Sequence, residues 1–209
     1  MASWNDKSVT NDHLLPYVDS ACAAPDVKAA LQTLPFERNI FKLVANAKCF
    51  FPAFMKLLSC AWSDKRTIRS TDWQLIVLRT AALLDAPYEW AVNEPVAGIF
   101  GFDHEKLLCI REGDLSSPNV FTDRQRLLGN MVEQLVLQNK VSQDTMLRAK
   151  EVFGDEGVME ILLTQGIYAL LAKIMQSAQI DHDPEIPGLE DQLRKYNAAT
   201  IEKEKFLED

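Results

Sequence analysis

From Trp73 to Leu84 the chain has almost no polar face. Trp73, Ile76, Val77, Thr80, Leu83 and Leu84 fall on one side of a helix, and Leu75, Leu78, Ala81 and Ala82 fill most of the rest. A helix that is apolar nearly all round is one that other elements surround, so this segment predicts a central, buried helix. Polar groups nevertheless stand inside it and inside the apolar segment that follows: Gln74 and Arg79 in the first, Glu89 and Asn93 in the second. Burying such groups costs free energy unless they are hydrogen-bonded, so they need a reason.

The rest of the chain also reads as helical, and no segment alternates with the period of two that a half-buried strand shows. Short helices are predicted over Asp26 to Thr33, Phe36 to Asn46 and Phe51 to Trp62, the last with Pro52 in its first turn, where a missing N–H is harmless. Ser70, Thr71 or Asp72 can cap the central helix. Asp85 and Pro87 open the next, which Pro95 should kink or loosen and Gly101 should end. Asp103 caps a short helix through Arg111. Asp123 to Gln138 is amphipathic, Ser142 caps Gln143 to Phe153, and after a turn at Gly154 to Gly157 a long apolar helix runs from Val158 to Ala178. The organisation implied is an all-α domain over residues 26–183, with an N-terminal extension (1–25) and a C-terminal one (184–209) that is either helical or mobile.

At 209 residues the chain is long enough for one substantial core. The net charge of −8 speaks against nucleic acid and against an anionic membrane surface as partners, since both are bound by clustered Lys and Arg. No apolar run approaching ~20 residues is evident, and the first sixteen residues lack the apolar core of a signal peptide, so a cytoplasmic location is expected. Cys22, Cys49, Cys60 and Cys109 form no C-x-x-C pair and are read as free, buried thiols. His13, His104 and His182 lie too far apart to suggest a structural metal site.

Several blocks resemble one superfamily. Arg38 to Asn46 is similar to its N-terminal helix, and Trp73 to Ala82 to a helix carrying Leu-Arg-x-Ala. Tyr88-Glu89-Trp90-x-x-Asn93-x-Pro95-x-Ala97 is similar to a helix with the pattern Y-E-W-x-x-H-x-P-x-A, and Phe121 to Asp123 and Glu160 to Ala172 are similar to two later helices. These blocks resemble the carboxymuconolactone decarboxylase-like proteins, relatives of the alkylhydroperoxidase D fold, over roughly Phe36 to Asp183. The resemblance implies an alkylhydroperoxidase D-like helical bundle, a tendency to form dimers, trimers or higher homo-oligomers, and a cofactor-independent activity on a small molecule.

The residues that carry chemistry in that superfamily are partly replaced. Its peroxidase branch has two cysteines, falling here on Ala86 and Glu89, a glutamate falling on Gln74 and a histidine falling on Asn93. Without a low-pKa thiolate and a resolving thiol, a thiol peroxidase is not expected. The decarboxylase branch keeps Glu89 but has an imidazole where Asn93 stands, and an amide cannot transfer protons.

Glu89 and Asn93 are four residues apart and share a helix face. With Gln74 on a neighbouring helix they form a candidate site: Glu89 as a desolvated acid or base, and Gln74 and Asn93 as groups that bind a carbonyl or oxyanion. Arg79 could clamp a substrate carboxylate, and Trp73, Tyr88 and Trp90 could line the pocket. The competing reading is a polar network that fixes helix packing, with Glu89 paired to Arg79. His104 is expected at the surface, Glu160 and Tyr168 as satisfied structural groups, and His182 and Asp183 have no evident partner. The functional expectation is an enzyme acting on a polyketide- or lactone-like intermediate by decarboxylation, isomerisation or cyclisation. The alternative is a non-catalytic relative that binds a small molecule or a partner protein.

Overall fold

The structure, a computed structural model, describes residues 9–207. The first eight residues of the expected N-terminal extension, and the last two of the chain, lie outside it. Ten helices and no strand occur among the described residues: α1 (Pro25–Leu31), α2 (Asn39–Val44), α3 (Phe51–Cys60), α4 (Ser70–Leu83), α5 (Pro87–Ile99), α6 (His104–Glu112), α7 (Asp123–Gln138), α8 (Gln143–Ala178), α9 (Leu189–Tyr196) and α10 (Ala198–Glu204). The C-terminal segment is thus helical over much of its length.

The predicted central helix is α4. Its residues from Trp73 to Ala81 are all buried, and it packs against α5, α6, α7 and α8. Its first turn is closed from three directions. Asp72 accepts the Arg69 backbone N–H at 3.1 Å and is fully buried beneath Arg124, whose Nη2 lies 2.6 Å from its Oδ2. Glu204, from α10, accepts the Ser70 N–H through both carboxylate oxygens at 2.9 and 3.1 Å. Arg66 stands beside it, 3.6 Å from Glu204 and hydrogen-bonded to the Ser70 hydroxyl. Capping is therefore shared between Asp72, three residues into the helix, and a residue from the far end of the chain, rather than supplied by a side chain at the N-cap itself.

The turn from α4 to α5 is short because Asp85 adopts a left-handed conformation (φ 51°). Gln176 of α8 clasps it by donating to the backbone carbonyls of Leu84 and Asp85. Ala86, not Asp85, holds the N-cap position, with Pro87 at the start of the helix as expected. Pro95 does not break α5, which continues to Ile99. The caps read from sequence at Asp103 and Ser142 are formed, and Thr122 caps α7 as well, each side-chain oxygen accepting a backbone N–H in the following turn. The expected turn near Gly154 is a kink: φ 70° and ψ 173° interrupt a helical run of 36 residues.

Two expectations need correction. Cys22, Cys49 and Cys60 are exposed and Cys109 is half-buried, although all four thiols are free. Apolar neighbours in sequence do not reveal which way a short helix or loop faces. Helix α8 does contain a stretch long and apolar enough, by length and composition, to cross a membrane; here it packs on α4 and α7, with 44% of that stretch buried.

Because Glu204 satisfies orphan donors at the start of the most buried helix, Glu204→Ala should lower stability by about 1–2 kcal/mol. The check is a lower urea midpoint with an unchanged denaturant slope.

Candidate active site

Helices α2, α3, α4, α5, α8 and α9 enclose a cavity of about 700 Å³, part of it open to solvent. Its walls are largely apolar, combining aliphatic side chains with aromatic ones such as Phe36, Phe41, Trp62, Trp73, Tyr88 and Tyr168. The polar residues on them are Arg38, Glu89, Asn93 and Asn197, besides the tyrosines Tyr88, Tyr168 and Tyr196. A mostly apolar cavity with a few convergent polar groups is the usual form of a small-molecule site.

Glu89 is the most unusual of these groups. It is 2% exposed, and neither carboxylate oxygen has a hydrogen-bond partner. Burial alone holds its carboxyl well above the usual carboxylate range, so it is a protonated acid under conditions where a surface glutamate is charged. The sequence places it here simply: α5 starts at Pro87 and lies antiparallel against α4, which turns the third helical residue inward. Asn93, one turn on, donates from Nδ2 to the Glu89 backbone carbonyl at 2.8 Å. That bond holds the amide on the same wall and leaves its second N–H hydrogen free.

Tyr168, expected to be structural, belongs to the cavity. Its hydroxyl oxygen accepts the indole N–H of Trp73 at 3.2 Å and of Trp62 at 3.4 Å. With the oxygen occupied by two donors, the O–H proton is left to serve as a donor itself. Burial is the main cause that pushes the phenol up to about 12, with the nearby Glu89 raising it further and the two indoles opposing.

The other predicted residues separate. Tyr88 and Trp73 line the cavity, whereas Trp90 is buried in the core away from it. Gln74 is fully buried within the α4 packing, off the cavity wall, with both amide atoms unpartnered. Arg79 is also off the wall and does not pair with Glu89. Its Nε and Nη2 contact Glu133 Oε1 at 3.0 and 2.5 Å, and Nη1 donates to the Ile110 carbonyl at 3.0 Å. Gly113 (φ 90°) ends α6 directly against that guanidinium, leaving no room for a side chain.

Two residues with no assigned role in the sequence reading meet at the cavity instead. Asp183 accepts from Arg38 Nη1 at 3.0 Å, from the Asn39 N–H at 2.7 Å and from the Tyr88 hydroxyl at 2.9 Å. Arg38 was read only as part of the helix predicted from Phe36 to Asn46, whereas it stands just ahead of α2, and Asp183 was read as lacking a partner.

Two solved structures share this fold. The debrominase Bmp8, in a cysteine-to-alanine variant complexed with 2,3,4-tribromopyrrole, matches with a TM-score of 0.65 and 16% identity, over 92% of this chain and all of that one. The apo form of the same debrominase matches with a TM-score of 0.66 and 16% identity, over 89% of this chain and 98% of that one. No protein-family model matches the chain, and no curated protein matches it. The fold is therefore the all-α, alkylhydroperoxidase D-like helical bundle that the sequence resemblance implies.

Two predictions follow from the placement of charge. A carboxyl whose pKa is raised on folding binds a proton more tightly in the native state. Above its ordinary value of 4.5 the native chain then holds more protons than the unfolded one, and stability falls as pH rises. Glu89→Gln should remove that slope, so its stability relative to wild type should grow with pH above 4.5 by at most ~1.4 kcal/mol per unit, read from urea unfolding across pH. Arg79→Leu should destabilise by roughly 1–3 kcal/mol, moderated by the partial exposure of Glu133, while ligand affinity in the cavity stays within about twofold by calorimetry.

Proposed function

We propose that this protein is a cytoplasmic, cofactor-independent enzyme acting on a small polyketide- or lactone-like intermediate of a biosynthetic pathway, by decarboxylation, isomerisation or cyclisation. The observation that carries the reading is Glu89, a buried carboxyl with both oxygens unpartnered on the wall of an aromatic cavity. A structural glutamate would be paired; an unpaired one keeps its proton for a molecule that enters. Enzymes that need a general acid near neutral pH raise a glutamate's pKa in this way. That the structurally similar debrominase binds a small aromatic ring in the complex described above is in keeping with it.

In this mechanism Glu89 delivers its proton to the carbon or oxygen of an enolate-like intermediate and recovers one from substrate or solvent. Decarboxylation releases carbon dioxide, and the proton takes the vacated position. Isomerisation or cyclisation moves a proton within the substrate and leaves its formula unchanged. Asn93 and the Tyr168 hydroxyl serve as hydrogen-bond donors to the developing oxyanion, and the aromatic walls hold the carbon skeleton in a reactive conformation. No cysteine lines the cavity, so a thiolate mechanism finds no support in its walls. The self-association expected from sequence belongs, in this reading, to the outer face of α8, where Met159, Leu163 and Leu170 stand exposed at helical spacing.

Metabolite mass spectrometry of a producing host with and without the gene tests the assignment. Loss of carbon dioxide between accumulated and missing compounds marks decarboxylation, and an equal-mass pair marks isomerisation or cyclisation. With that substrate in hand, Glu89→Gln should lower kcat by about 10²–10⁴-fold while the variant remains folded, and the wild-type rate should fall as pH rises and Glu89 loses its proton. Full activity in the folded Gln variant would refute the proton role. Leu163→Glu should shift the sedimentation coefficient to that of a monomer; an unchanged value would remove α8 from the interface.

A further inference from the structure

Arg38 is a cation in the cavity wall whose donors the protein leaves partly unused. It sits at the N-cap position of α2 in an extended conformation and is 6% exposed. Its Nη1 donates to Asp183 Oδ2 at 3.0 Å, and its guanidinium lies 4.9 Å from the centre of the Phe36 ring. Its Nε is shut off from solvent and has no acceptor among the described residues.

A guanidinium carries five N–H donors in a planar fork and binds a carboxylate best through two parallel hydrogen bonds. Asp183 does not engage it that way. Its oxygens are divided among Arg38, the Asn39 backbone and the Tyr88 hydroxyl, so it meets the fork at one nitrogen only. Asp183 and the Phe36 ring hold the guanidinium in place without using up its donors. Its Nη2 is not shut off in this way and makes no hydrogen bond among the described residues, so an anion entering the cavity would accept from it. Glu89 does not supply one, since its carboxyl makes no bond among the described residues.

We infer that Arg38 anchors a carboxylate or enolate of the molecule on which Glu89 acts, so that the substrate is an apolar organic acid. This rests on the reading of the cavity as the active site and specifies what enters it. Asp183 is a positioning residue, locked by Tyr88 so that the guanidinium presents its unused edge. The anionic end binds at Arg38 and the carbon skeleton lies along Trp62, Trp73 and Phe41, within reach of the Glu89 proton.

The test is isothermal calorimetry of the full chain at neutral pH with 2-naphthoate and its uncharged counterpart 2-naphthamide. Wild type should bind the acid at least tenfold more tightly than the amide. Arg38→Gln should bind both alike, near the wild-type amide affinity, and Glu89→Gln should retain the preference. If Arg38→Gln fails to fold because Asp183 is left unpaired, the double variant Arg38→Gln/Asp183→Asn removes both charges and carries the same comparison. Equal binding of acid and amide by wild type, or a preference that survives loss of Arg38, overturns the anchor and leaves the cavity reading standing. Failure of wild type to bind either compound overturns both.

Discussion

A helix with no solvent face needs a partner on every side, and α4 imposes that need on the whole bundle. Helices α5, α6, α7 and α8 exist in their positions because each covers part of it. Its polar insertions are resolved in different ways. Asp72 is covered by Arg124 and Arg79 reaches out to Glu133, whereas Gln74 and the Thr80 hydroxyl are left without partners. The charged residues of the helix are thus consumed in holding it against its neighbours. The polar groups of the cavity come from the elements around it.

The cavity combines three states of polar satisfaction. Asp183 is fully engaged, Tyr168 accepts two indole donors and retains its own proton, and Glu89 has no partner at all. The gradient separates groups that hold the site's shape from groups that remain able to exchange a proton. Replacing the imidazole of the resembled pattern by Asn93 fits this division, since the amide fastens back onto its own helix and cannot compete with Glu89 for a proton.

Much of the fold was legible because helix signals are local. Asp103 and Ser142 announced the starts of α6 and α8, and Gly154 announced a break in the helical run. Within the site, Glu89, Asn93, Tyr88 and Trp73 were legible as one cluster, since a helix hairpin with a two- or three-residue turn brings its faces together. Arg79 was misplaced for an instructive reason. Its rotation about α4 decides whether it meets Glu89 or Glu133, and an all-round apolar helix offers no amphipathic face from which to read that rotation. The Arg38–Asp183 pair was illegible because its members are 145 residues apart, and no periodicity spans that distance. Tyr168 was undervalued because its role depends on two indoles from separate elements.

The last helices to join the bundle are also a wall of the cavity. Leu193, Tyr196 and Asn197 face it from α9, while α10 reaches across to the start of α4. These helices have eight and seven residues, lengths at which a helix does not persist without tertiary support. By this argument α9 and α10 open more readily than the long helices of the α4–α8 centre and show less hydrogen-exchange protection than they do.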